Sequence, residues 1–180
     1  IAVDVLLPQL LERTRLSSED FRTRELNELI IPKLLAAAER LKIKLSDNIS
    51  LQTTTKALTE LALTKDYISL GKKIEIETRK GILSIDEPKL SYKEFAGINS
   101  IFTKENSTLP TKRIEKEIDF VSVFTPIKTA LKKANLSSED IDYVLFIGGS
   151  SKNPFIQKAV SNYFPESDIL LPNDLQAHVS

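Results

Sequence analysis

The stretch "VLFIGGSSKNPFIQKAV", Val144 to Val160, decides how the chain reads. The apolar run Val144-Leu145-Phe146-Ile147 has the composition of a strand buried on both faces. It stops at Gly148-Gly149-Ser150-Ser151, where the backbone can take positive φ and a flat ligand can come close. Asn153 is then suited to cap a helix whose first residue is Pro154. Ile156, Val160 and Phe164, four apart, form one packed stripe on it. Alone, strand, glycine turn and helix remain compatible with a plain structural turn. The stretch has neither the lysine and spacing of the G-x-x-x-x-G-K-[ST] loop nor the G-x-G-x-x-G pattern.

Upstream, Ile1 to Ser46 is helical in pattern, with Ser17 or Ser18 as an N-cap and Pro32 opening a further helix. Leu34, Ala38, Leu41 and Leu45 are spaced four, three and four along one apolar stripe. Glu39, Lys42 and Ser46 fall on another face, which is a solvated surface on spacing alone. Between Asp47 and Leu90 the texture changes. "ISLQTTT", "DYISL", "KKIEIETRK" and "GILSIDE" read as strands of a small antiparallel sheet with turns at Gly71 and Gly81. "KALTELAL", Lys56 to Leu63, has helical propensity. Ser91 to Phe102 is helical, Thr103 to Arg113 has the composition of a loop, and Ile114 to Asn135 is helical on both sides of a kink at Pro126. "LSSED" occurs at Leu16 and again at Leu136, as capping chemistry used twice.

The 180 residues carry 25 Lys plus Arg against 25 Asp plus Glu, with 41% hydrophobic and 28% charged residues. Zero net charge argues against broad nucleic-acid binding. The lack of cysteine excludes disulfides and thiolate chemistry, and a single histidine, His178, leaves no His-based metal cluster. No run is long and apolar enough for a membrane helix. A start at Ile1 and the absence of methionine suggest a piece of a longer protein.

Three segments, in order, carry a resemblance. "AAERLKIKLSDNISLQ" from Ala37 is similar to "A-E-x-A-K-x-x-L-S-S". "PIKTALKKANLSSEDID" from Pro126 is similar to "P-[VC]-x-x-A-L-x-x-A-x-L". "DIDYVLFIGGSSKNPFIQKAVSNYFPESDILLPNDLQAHVS" from Asp140 resembles "D-x-V-x-L-V-G-G-S-T-R-x-P-x-[VI]-Q" followed by an N-P-D-E turn. All three belong to the nucleotide-binding domain of DnaK-type, 70-kDa heat-shock chaperones. The resemblance implies an α/β fold, the second lobe of an actin-like, ribonuclease H-like ATPase. Residues 1–125 would form its outer helix-plus-sheet subdomain and 126–180 part of its inner one. It implies that Glu39, Lys42 and Ser46 line one side of an adenosine pocket, and Gly148, Gly149, Ser150 and Lys152 the other. The longer protein would bind ATP or ADP with Mg²⁺. Its partners would be a first lobe, a peptide-binding domain and a nucleotide-exchange factor on the outer subdomain. Its setting would be cytoplasmic and its role a stress-response chaperone.

Ile43 and Lys152 stand where the family has arginines, and Asn173 where its N-P-D-E turn has an acid. Lysine lacks the planar guanidinium that stacks on a purine. The stretch from Phe95 to Pro126 is longer than the family pattern, suggesting an insertion near Thr103 to Arg113. Neither "G-I-D-L-G-T" nor "G-G-G-T-F-D", the family's phosphate loops, is in this chain. The chain alone is therefore expected not to hydrolyse ATP, and none of its residues is assigned a catalytic role. The alternative is a non-catalytic interaction module on the same scaffold that has lost nucleotide binding.

Overall fold

Burying Leu34, Ala38, Leu41 and Leu45 along one line demands an unbroken helix, and the chain supplies one. In the computed structural model, residues 1–50, 55–64, 66–104, 108–113 and 116–171 are described. They divide between two units, Ile1–Asn48 with Glu60–Phe95, and Ile49–Thr59 with Ala96–Ser180. This partition differs from a division after residue 125. Among the described residues no helix is long and apolar enough to cross a membrane.

In the first unit a π-helical segment, Ala2–Leu6, runs into α1 (Leu7–Leu11). Later, α2 (Thr23–Glu25) passes through a second π segment, Leu26–Ile30, into α3 (Ile31–Ser50). Pro32 therefore does not open a new helix but sits within a continuous run. Proline lacks an N–H and its ring crowds the carbonyl four residues back. The chain answers twice in the same way. Each five-residue π segment ends two residues before a proline, with the next amide reaching back five residues, from Leu7 to Ala2 and from Ile31 to Leu26. The wider turn accommodates the ring without ending the helix.

The expected stripe is buried. Leu34, Leu41 and Leu45 are fully inaccessible and Ala38 is 6% exposed, while Ile30 and Ile49 extend the line at both ends. Ile49, the first residue of "ISLQTTT", is helical rather than part of a strand, and residues 51–54 of that stretch lie outside the described residues. Ile49 continues the period beyond Leu45, so α3 runs to Ser50, and α4 (Thr55–Leu61) starts at the last threonine. α4 accords with the helical propensity of "KALTELAL".

Strands occur where Ile and Thr alternate with charge. β1 (Tyr67–Ser69) pairs antiparallel with β4 (Lys89–Ser91), and β2 (Ile74–Thr78) with β3 (Gly81–Ile85). Gly71 (φ +62°) and Gly81 (φ +116°) make the two expected turns in conformations that L residues rarely adopt. Arg79 at the β2–β3 tip is held by Glu25, which accepts from the Arg79 amide at 3.0 Å and guanidinium at 3.2 Å. The Arg79 backbone N–H is the main cause that holds the Glu25 carboxyl below its ordinary pKa. Gln9 of α1 bonds both backbone groups of Lys89, donating at 2.8 Å and accepting at 3.0 Å, and so covers one strand edge.

"LSSED" forms the same capping box in both units. The Ser17 amide and hydroxyl donate to Asp20 at 2.7 and 3.0 Å, and those of Ser137 donate to Asp140 at 2.7 Å each. In both pairs the backbone N–H, then the hydroxyl, holds the acid below the usual carboxylate range. Each box caps one 3₁₀ turn, Ser18–Asp20 or Ser138–Asp140, rather than a long helix.

Ser91 begins α5 (Tyr92–Thr103) with a third box, closed by Glu94. The second unit corrects two expectations. Thr108–Arg113 is not a loop but strand β5, paired antiparallel with β6 (Lys116–Val121). Helical propensity in "IEKEIDFV" gives way to a two-residue alternation of Ile118 and Phe120 with Glu117 and Asp119. Pro126 makes no kink. It lies in the first turn of α6 (Phe124–Ala134), where its missing donor costs nothing. α6 ends at Asn135, whose left-handed conformation (φ +56°) closes the last turn, its amide reaching back to Leu131 and Lys132.

β7 (Tyr143–Leu145), α7 (Pro154–Tyr163) and β8 (Asp168–Leu170) form a βαβ unit with parallel strands. Its core is Phe146, Val160 and Phe164, with Val144 and Ile156 packed against them. The run from Val144 is not buried on both faces as composition suggested. Leu145 and Ile147 are 55% and 49% exposed while Phe146 is 7%, because the described sheet is covered by α7 on one face.

Truncating Leu41→Ala should lower unfolding free energy by about 2–5 kcal/mol, whereas Leu35→Ala, at a half-exposed site one helical face away, should change it by less than about 0.5 kcal/mol. Urea unfolding of the two variants measures the contrast.

Candidate functional site

In the first unit the candidate residues lie on one face of α3. A period of 3.6 residues turns Glu39, Lys42 and Ser46 away from the buried leucines. Lys42 Nζ lies 2.8 Å from Glu39 Oε2, and both side chains are substantially exposed. Such a pair contributes only about 0.2–0.5 kcal/mol, so either group can turn to a ligand hydroxyl at small cost. Ser46 differs from a solvated polar residue: it is only 6% exposed, although helical spacing sets it between Lys42 and Glu39 around the axis. Ile43 is 48% exposed, as is Leu35 at 49%, so the polar pair is flanked by bare apolar surface.

In the other unit the candidate residues lie in the turn after β7. Gly148 has φ +82° and ψ 163°, a region open essentially to glycine alone. A Cβ there would meet nothing within 4 Å, so backbone conformation rather than crowding demands the glycine, and the space before it is open. Gly149–Lys152 forms a 3₁₀ turn. The Ser151 amide and hydroxyl both donate to the Gly148 carbonyl, at 3.2 and 2.6 Å. Gln157 of α7 donates to the Ser151 carbonyl at 2.7 Å. Asn153 caps α7 as the sequence indicates, accepting from the Phe155 amide at 3.0 Å, with Pro154 next. Ser150 and Lys152 are exposed along the turn.

The structure thus joins Glu39 with Lys42 on α3, and Gly148 with Gly149, Ser150 and Lys152 at the turn. The two groups belong to different units, each described for itself. Asn173 and His178 lie outside the described residues. Among those described, no group of three or more His, Cys, Asp or Glu side chains is arranged to hold a metal ion. Sequence reasoning missed Asn99, a buried amide on α5 that accepts from Asn153. The only available signal was a polar residue amid the apolar positions of that helix.

A sequence model of the family described as Hsp70 protein matches residues 96–169, which contain the glycine turn and α7. Chaperone protein dnaK1 of Synechococcus elongatus is 29% identical over 162 residues, covering 89% of this chain and 20% of that protein. A chaperone protein HscA homolog of Chromobacterium violaceum is 36% identical over 64 residues, 31% of this chain and 10% of that protein. Another HscA homolog, from Herminiimonas arsenicoxydans, is 42% identical over 45 residues, 25% of this chain and 7% of that protein. The chain is thus similar to Hsp70-type chaperones, at 29% identity to dnaK1 over most of its length and with the family model matching residues 96–169. It spans about a fifth of the length of the dnaK1 relative.

Alanine at Gly148 should lower unfolding free energy by about 1–3 kcal/mol despite the open space, because strain lies in the backbone. Alanine at Gly97, on α5, where nothing lies within 4 Å of a Cβ and φ is ordinary, should be neutral or stabilising. Thermal unfolding of the two variants distinguishes the cases.

Proposed function

We propose that this chain forms the adenosine side of the nucleotide cleft in an actin-like, DnaK-type chaperone ATPase domain. One observation carries most of the weight: Gly148 holds a glycine-only conformation with open space before it, inside the segment that matches the Hsp70 family. The glycine turn would take the edge of the purine and the Glu39–Lys42 pair would bond the ribose hydroxyls, with Ser46 at a ring nitrogen. These residues fit a nucleoside, since they combine an uncrowded backbone, a salt bridge of low cost and exposed hydroxyl and ammonium groups. Triphosphate and Mg²⁺ would be held by other parts of the longer protein, and no chemical step is assigned to residues here. Residues 1–125 and 126–180 are proposed as outer and inner parts of the second lobe, whose movement in the ATP cycle would control a peptide-binding domain. An exchange factor meeting the outer part belongs to the same proposal.

A second reading is favoured by Ile43. An apolar side chain, 48% exposed, occupies the position of a family arginine, so an interaction module without nucleotide binding has a physical basis. Titration of the full-length protein with ATP and Mg²⁺ separates the two. Saturable binding supports the cleft, and no binding at millimolar nucleotide supports the module. If the cleft is correct, Gly149→Val should weaken nucleotide binding on the order of tenfold or more while the circular-dichroism spectrum is retained. Unchanged affinity in a folded variant removes the turn from the pocket.

A further inference from the structure

The glycine turn is held from behind by an amide pair. Asn153 does two things with one side chain: Oδ1 accepts from the Phe155 amide at 3.0 Å, and Nδ2 donates to Asn99 Oδ1 at 2.5 Å. Asn99 is 4% exposed, on the second-unit part of α5, and lies 54 residues earlier in the chain. The Asn153 main-chain amide, in turn, donates to Ser150 O at 3.2 Å, inside the turn. A continuous path of bonds therefore runs from the interior side of α5 into the backbone that would face the purine.

We infer that Asn99 is a positioning residue for the nucleotide-binding turn, acting through Asn153 rather than by touching the ligand. This rests on the adenosine reading given above. The physical basis is orientation. An asparagine amide that only capped α7 would retain freedom to pivot about its side-chain torsions. Fixing Nδ2 against a buried acceptor removes that freedom, and so holds the residue that terminates the turn. Gln157, donating to Ser151 O, braces the turn from the α7 side, so it is supported from two helices. A turn held before the ligand arrives loses less entropy on binding.

The test is a double-mutant cycle in the full-length protein, read by ADP binding. Asn99→Leu keeps the volume of the side chain but removes the acceptor. Asn153→Ser keeps an N-cap oxygen but cannot reach Asn99. Each single variant is expected to weaken ADP binding about fivefold, a usual magnitude for one hydrogen bond. The double variant should lose no more than either single one, because both cut the same link. Asn99→Asp, which keeps an acceptor in place, should restore affinity to within about twofold, a rescue that a general packing role would not produce. Losses that add, failure of the aspartate to restore binding, or unchanged affinity in folded Asn99→Leu each overturn the proposal. In that last case wild-type ADP binding and its loss in Gly149→Val would still uphold the cleft. No ADP binding by the wild type overturns both.

Discussion

Everything on α3 follows from keeping one line of side chains out of water. Leu34, Leu41, Leu45 and Ile49 are fully inaccessible, and each contributes roughly 1.5–3 kcal/mol from burial. That term dwarfs the few tenths available from the Glu39–Lys42 pair, so apolar burial sets the rotation of the helix and the polar residues go where geometry leaves them. The same constraint demands an unbroken helix through Pro32. The π segment at Leu26–Ile30 satisfies it by widening the turn rather than ending it. Ile43 and Leu35 are carried to the open face by the same rotation, which is why that face is not purely polar.

At the glycine turn after β7 the governing constraint is conformational. Gly148 occupies backbone space closed to other residues, and the following turn is closed by hydroxyl and amide side chains from its own sequence and from α7. The face of α3 is placed by side-chain burial, the glycine turn by backbone torsion and hydrogen bonds.

Much of this was legible in the residues. The stripe on α3, the Asn153–Pro154 helix start, the paired "LSSED" boxes and the turns at Gly71 and Gly81 all appear where spacing and turn chemistry put them. Errors clustered where local and non-local preferences compete. "IEKEIDFV" contains good helix formers, yet Lys116–Val121 within it pairs with Thr108–Arg113 as strands β6 and β5. "ISLQTTT" is rich in β-branched residues, yet Ile49 is drawn into the helix by the period established before it.

The sequence by itself determined the features written in separations of three or four residues, because capping boxes, apolar stripes and proline-compatible helix starts are closed by near neighbours. It also determined that Gly148 could take a conformation closed to other residues. Only the tertiary structure decided which face of Val144–Ile147 is covered, since that depends on α7 packing over Phe146 and leaving Leu145 bare. Likewise, only the fold brought Asn99 to Asn153 across 54 residues, where a buried acceptor could find its donor. Hydrogen bonds and burial between distant segments are properties of the assembled chain, and no local spacing encodes them.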